Sequence, residues 1–198
     1  MSGGMVNNQR VDTLALSSNA ATSQLVVVDI QEKLGAVMPD KVLARVFRNV
    51  NLLLNAAERL GIPITVTEQY PKGLGATDAR VAAGIPPSAK RLEKTCFSCV
   101  GADGFAAVLG DLQRRQVILT GMESHVCVLQ TAMDLLAAGM QPFVVEDAVC
   151  SRKLENYQNA LQRLQRAGAV IATAESVVFE WLRDARNEHF KALSAMVR

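Results

Sequence analysis

A helix closed by glycine and followed at once by a short apolar strand occurs three times in this chain. Ala56-Ala57-Glu58-Arg59-Leu60-Gly61 runs into residues 62–67, Leu135-Leu136-Ala137-Ala138-Gly139 into 142–145, and Leu164-Gln165-Arg166-Ala167-Gly168 into 169–173. Glycine closes a helix in the left-handed conformation at least cost. The strands are continuously apolar rather than alternating, as in residues 25–30 and 117–119. Strands covered on both faces have that composition. Apolar residues at Val42, Val46, Val50, Leu53, Ala57 and Leu60 mark a helix over 41–60. The alternation predicts an α/β fold: one three-layer α/β/α domain around a doubly wound parallel sheet of about six strands, with right-handed crossovers.

At 198 residues, 49% hydrophobic and 20% charged, the chain has the bulk of one soluble domain. We expect that domain over residues 24–198, after a flexible N-terminal arm over 1–23 rich in Ser, Asn, Ala and Thr. Met5 is a second candidate start, which would make residues 1–4 foreign to the natural protein. Lys plus Arg (21) against Asp plus Glu (19) leaves +2, which argues against nucleic acid as a partner. No apolar run approaches the ~18–20 residues of a membrane span, so no membrane partner is expected. Residues 1–24 lack the basic start and apolar run of a secretory signal. The expectation is therefore a cytoplasmic protein whose Cys96, Cys99, Cys127 and Cys150 are reduced thiols. Residues 70–87, long and rich in Gly and Pro, are expected as a loop over the site. The tail from Ala174 reads as two short helices split near Asn187, for packing or oligomer contacts.

Ligands of open α/β sheets bind at the carboxyl ends of the strands. Asp29 ends the apolar run Val26-Val27-Val28, where a carboxylate must be hydrogen-bonded or working. It either caps the next segment or acts in chemistry. Strand 116–120 leads into Gly121-Met122-Glu123-Ser124-His125-Val126-Cys127-Val128 and then a helix. Cys127 in the first turn of that helix would have its thiol pKa lowered by the N-terminal N–H groups. Those groups could also hold an oxyanion. His125 and His189 are the only histidines and read as structural or solvated. Asp29 is the better base, if a cation holds its charge; Lys94 could reach the same face, although most lysines are solvated.

Asp29, then Glu93-Lys94-Thr95-Cys96-Phe97-Ser98, then Gly121 to Val128, in that order, resemble the isochorismatase-like cysteine hydrolases. Thr67-Glu68-Gln69-Tyr70-Pro71-Lys72-Gly73-Leu74-Gly75 resembles the isochorismatase domain-containing branch. The resemblance implies an Asp29–Lys94–Cys127 triad and a cis peptide at Met122–Glu123. It also implies acyl transfer through a thioester, with the backbone N–H groups of Glu123 and Cys127 holding the oxyanion. Gln31, Tyr70 and Phe97 are candidate pocket residues for a small-molecule substrate.

Nicotinamidase relatives bind a metal through an aspartate and two histidines after the second strand, but residues 68–90 contain no histidine. No metal and no cofactor are expected. The relatives that hydrolyse isochorismate lack the cysteine, so Cys127 argues against that substrate. The expected function is hydrolysis of a small amide or related carbonyl compound by a homo-oligomer. Two alternatives stand beside it: a non-catalytic interaction protein on the same fold, and a thiol redox protein using Cys96 and Cys99, whose single C-x-x-C lacks further zinc ligands.

Overall fold

The computed structural model describes residues 16–111 and 114–197. Six parallel strands lie in the order β3-β2-β1-β4-β5-β6: β1 (Ser23–Val28), β2 (Ile64–Gln69), β3 (Lys90–Lys94), β4 (Gln116–Met122), β5 (Gln141–Cys150) and β6 (Val170–Ala172). Helix α1 (Glu32–Gly35) and the long α2 (Asp40–Arg59) follow β1, and the short α3 (Pro71–Leu74) and α4 (Ala79–Ala82) follow β2. Then come α5 (Phe105–Asp111), α6 (Leu129–Ala137), α7 (Leu154–Ala167), α8 (Ala174–Leu182) and α9 (Phe190–Met196). Among the described residues, no helix is long and apolar enough to cross a membrane.

The apolar strands feed two cores at once, because successive side chains point to opposite faces. In β1, Leu25 and Val27 join α2, α8 and α9 on one face, and Val26 and Val28 join α6 on the other. In β4, Ile118 and Met122 go one way, Val117 and Leu119 the other. Helix α2 buries Val46, Val50, Leu53 and Ala57 of the expected stripe, with Val42 and Leu60 partly buried at its ends. The three helix-closing glycines, Gly61, Gly139 and Gly168, all have positive φ, as the pattern predicts.

Gly121 answers to a different constraint. It sits at φ +122°, and a Cβ there would lie 2.0 Å from the Val28 carbonyl oxygen. Only glycine lets β4 approach β1 at the register pair Val28↔Gly121. The strand order reverses between these two strands, so the crevice of the fold opens at their carboxyl ends.

Of the arm expected over residues 1–23, residues 1–15 lie outside the described residues. The stretch just before β1 is held to the domain: Ser18 N donates to Glu180 Oε2 (2.7 Å) and Asn19 N to Gln116 Oε1 (2.7 Å). The loop expected over 70–87 carries α3 and α4, and the tail forms α8 and α9.

Candidate active site

Topology brings Asp29 and Cys127 together, because one follows β1 and the other the turn after β4, the two strands at the reversal point. Lys94 reaches them from the end of β3, across the end of β2. Asp29 adopts φ +51°, a left-handed conformation that aspartate tolerates better than most residues. Its side chain is fully buried, as is that of Lys94.

The buried charges are matched. Lys94 Nζ donates to Asp29 Oδ2 (2.6 Å), to Gln69 Oε1 (2.6 Å) and to the carbonyls of Phe97 (3.0 Å) and Cys96 (3.3 Å). The other oxygen, Asp29 Oδ1, accepts from Thr67 Oγ1 (2.8 Å). Burial pulls the Lys94 pKa down, but the Asp29 charge and hydrogen bond outweigh it and hold the ammonium above its ordinary value. The lysine is a fixed cation.

Cys127 lies in a five-residue π-helical turn, Ser124–Val128, that precedes α6. It is 4% exposed. Burial raises its pKa most, the Asp29 charge and a side-chain hydrogen bond to Asp29 raise it further, and Lys94 opposes them. The net direction is well above the ordinary thiol range. Cys127 does lie in the helical turn that leads into α6, but the expected lowering of its pKa is corrected: burial and the Asp29 carboxylate raise it. Burial and the neighbouring Asp29 charge favour the protonated thiol.

The expected cis peptide is also corrected. No cis bond occurs among the described residues, and Met122–Glu123 is trans, with Glu123 at φ −14°, ψ 102° making the turn instead. A non-proline cis bond costs about 3 kcal/mol, which a trans turn avoids. Met122 itself is buried in the core. The Glu123 carbonyl accepts from Val126 N (3.0 Å) and Val128 N (3.3 Å). Its carboxylate pairs with Arg152 Nε (2.9 Å) and His125 Nδ1 (3.2 Å), and His125 also bonds Ser151 Oγ (2.9 Å). His125 is thus turned into a structural network.

The candidate pocket residues divide. Gln31 is fully buried and works as a staple: its Nε2 donates to the carbonyls of Gln69 (3.0 Å) and Gly75 (2.6 Å), and its Oε1 accepts from Gln69 N (2.7 Å). Tyr70, 54% exposed, lines a cavity of about 470 Å³ with Lys72, Glu93, Lys94, Cys96 and Asp103. Phe97 offers Lys94 its carbonyl, while its ring is exposed. Cys99 is buried beside Thr67 (Sγ to Oγ1, 3.6 Å), and burial first of all pushes its pKa up to about 11.

Thr67 and Gln69 escaped the sequence reading. Their signal was the one that marked Asp29, polar residues closing an apolar strand. Among the described residues no group of three or more His, Cys, Asp or Glu is placed to hold a metal ion. Glu68 Oε1 is engaged by the backbone N–H (2.7 Å) and hydroxyl (2.5 Å) of Thr77.

The model of the isochorismatase domain matches residues 23–176. The secreted isochorismatase effector Isc1 of Phytophthora sojae is 36% identical over 180 residues, spanning 89% of this chain and 85% of that protein. Isochorismatase domain-containing protein 2 of Bos taurus is 37% identical over 182 residues, spanning 89% and 83%. Among solved structures, the MAR1 ribonuclease of Caenorhabditis elegans superimposes with a TM-score of 0.86 at 34% identity, covering 91% of this chain and 92% of that one.

Proposed function

The chain belongs to the isochorismatase-domain family, and on that premise we propose that it is a cysteine hydrolase of small amides or related carbonyl compounds. One observation carries the reading: a single buried carboxylate, Asp29, takes a hydrogen bond from the Lys94 ammonium (2.6 Å) and lies near enough to the Cys127 thiol for its charge to raise that thiol's pKa. A base, its counter-cation and a nucleophile with a proton to lose are the minimum for covalent acyl transfer.

Asp29 accepts the thiol proton as the Cys127 sulfur bonds to the carbonyl carbon. The carbonyl electron pair moves to oxygen, which the backbone N–H groups of Glu123 and Cys127 hold. Collapse restores the carbonyl, and the leaving amine departs with the proton returned from Asp29. Water then attacks the thioester, giving a proton to Asp29, and the acid leaves as that proton returns to sulfur. The aspartate alternates between base and acid, while Lys94 steadies its charge. Substrate enters from the cavity lined by Tyr70 and Lys94.

Incubation with a panel of small primary amides, read as ammonia release, tests this. Turnover by the wild type that disappears in Cys127→Ser and Asp29→Asn is the expected result. Ammonia release that persists in Cys127→Ser contradicts the mechanism, and none from any amide favours the interaction-protein reading. The ribonuclease name of the worm relative supplies a rival, tested in the same series by RNA cleavage. Its survival in Cys127→Ser would move the chemistry off the thiol. A redox role for Cys96 and Cys99 is disfavoured, because a redox thiol needs a lowered pKa and that of Cys99 is raised.

We also read the chain as a homo-oligomer. Val37, Tyr70 and Phe97 are exposed on segments that follow β1, β2 and β3. Apolar groups gathered on one edge suit a self-contact. Sedimentation equilibrium giving a monomer at micromolar concentration would contradict it.

A further inference from the structure

Arg45, on α2, is the one arginine or lysine among the buried side-chain atoms that the hydrogen-bond network of the described residues leaves without a partner. Its Nε is buried and has no hydrogen-bond partner among the described residues. No described carboxylate forms an ion pair with it: Asp147 Oδ1 accepts instead from Ala174 N (2.8 Å), and Glu123 is held by Arg152 and His125. Arg45 as a whole is half-buried, but its Nε is cut off from water, and a buried N–H without a partner is costly. A ligand anion would remove that cost.

The surroundings fit one. Arg45 lines a cavity of about 120 Å³ with Pro39, Val42, Ser151, Arg152 and Leu154. The cavity lies at the carboxyl end of β5 and shares none of its lining residues with the cavity beside Lys94. Arg152 gives Nε to Glu123 (2.9 Å), and its side chain is 55% exposed, so its terminal amino groups can reach a ligand. Two guanidinium forks match the oxygens of a carboxylate. The walls supplied by Pro39, Val42 and Leu154 favour an apolar tail over a bare ion. The volume holds about four water-sized groups, the size of a short-chain acid.

We propose that the cavity lined by Arg45 and Arg152 is a binding site for a small organic carboxylate. The site adjoins the nucleophile turn, because Arg152 also anchors Glu123, yet binding requires no chemistry at Cys127. It therefore stands or falls separately from the hydrolase reading.

Isothermal titration of propionate into Cys127→Ser, in which no thioester can form, is the test. Saturable binding is expected, with no response to propionamide. Affinity should fall about tenfold or more in Arg45→Gln, the loss of a charge-assisted contact. Leu154→Asp changes an exposed rim position 65% accessible to solvent and should weaken binding through like charge without disturbing the fold. Absence of saturable binding overturns the proposal, as does unchanged affinity in both variants. Inorganic phosphate or propionamide binding as tightly as propionate overturns the assignment to organic carboxylates.

Discussion

Lys94 Nζ lies 2.6 Å from Asp29 Oδ2 with both side chains fully buried, and the charge of the same carboxylate raises the pKa of the Cys127 thiol. The ion pair is part of the fold as well as of the site. Removing one partner strands the other charge in a dry interior, at a cost of about 3–5 kcal/mol. Lys94→Ala and Asp29→Asn should each lose stability on that scale in urea unfolding. The double variant should cost less than the sum of the two. Additive losses would mean that the pair does not act as a unit.

The raised pKa of Cys127 leads to an unusual response to Asp29→Asn. The substitution removes the carboxylate's charge and hydrogen bond, two causes that keep the thiol protonated, while burial remains. Cys127 should then react faster with iodoacetamide at about pH 8 than in the wild type, even as hydrolysis is lost. Buried Cys150, whose pKa burial drives up to about 12, serves as the internal control for general loosening. Peptide mass spectrometry reads both rates. A slower Cys127 in Asp29→Asn would show that the carboxylate activates the resting thiol instead.

Alkaline pH should destabilise the protein. Cys99, Cys127 and Cys150 have raised folded pKa values, so above the unfolded value of about 8.5 the unfolded chain releases protons that the folded one keeps. Fewer protons bound in the unfolded state means that stability falls as pH rises, by about 1.4 kcal/mol per pH unit for each such thiol. Lys94 acts in the same direction: its contribution is complete below its unfolded pKa and is lost as pH passes its raised folded value. Unfolding midpoints at pH 7.5 and 10 check this, and Cys150→Ala should flatten the slope. A flat profile in the wild type would contradict the burial account.

Gly121→Ala should be severe. The added Cβ would lie 2.0 Å from the Val28 carbonyl, at a φ that alanine rarely adopts. A loss of about 3 kcal/mol is expected. The Tm of Gly121→Ala against that of Gly110→Ala, where a Cβ meets nothing within 4 Å, gives the comparison. Equal shifts would mean that β4 can move off β1.

How far the sequence could be read follows from what each residue's neighbours reveal. The runs in β1 and β4 are apolar because helices cover both faces, so their pattern survives in one dimension. Asp29 and Cys127 were legible from their places after those strands. Edge strand β3, Lys90–Lys94, pairs only with β2 and is largely exposed, so no apolar run marks it. Lys94 was therefore readable through resemblance and hardly through spacing. The direction of the Cys127 pKa was misread because it depends on depth of burial and on a carboxylate 98 positions away in sequence. The stapling bonds of Gln31 were not legible, because its amide partners, at Gln69 and Gly75, come from a segment that only the fold brings near.

The most direct test of the central claim is acylation by p-nitrophenyl acetate, followed by rapid acid quench and peptide mass spectrometry. The account expects one acetyl group on Cys127 that disappears on a longer incubation in the wild type. In Asp29→Asn, whose thiol ionises more easily but which lacks the base that activates water, the acetyl group should form and persist. Acetyl confined to the more accessible Cys96, with Cys127 unmodified, would contradict the assignment of Cys127 as the nucleophile.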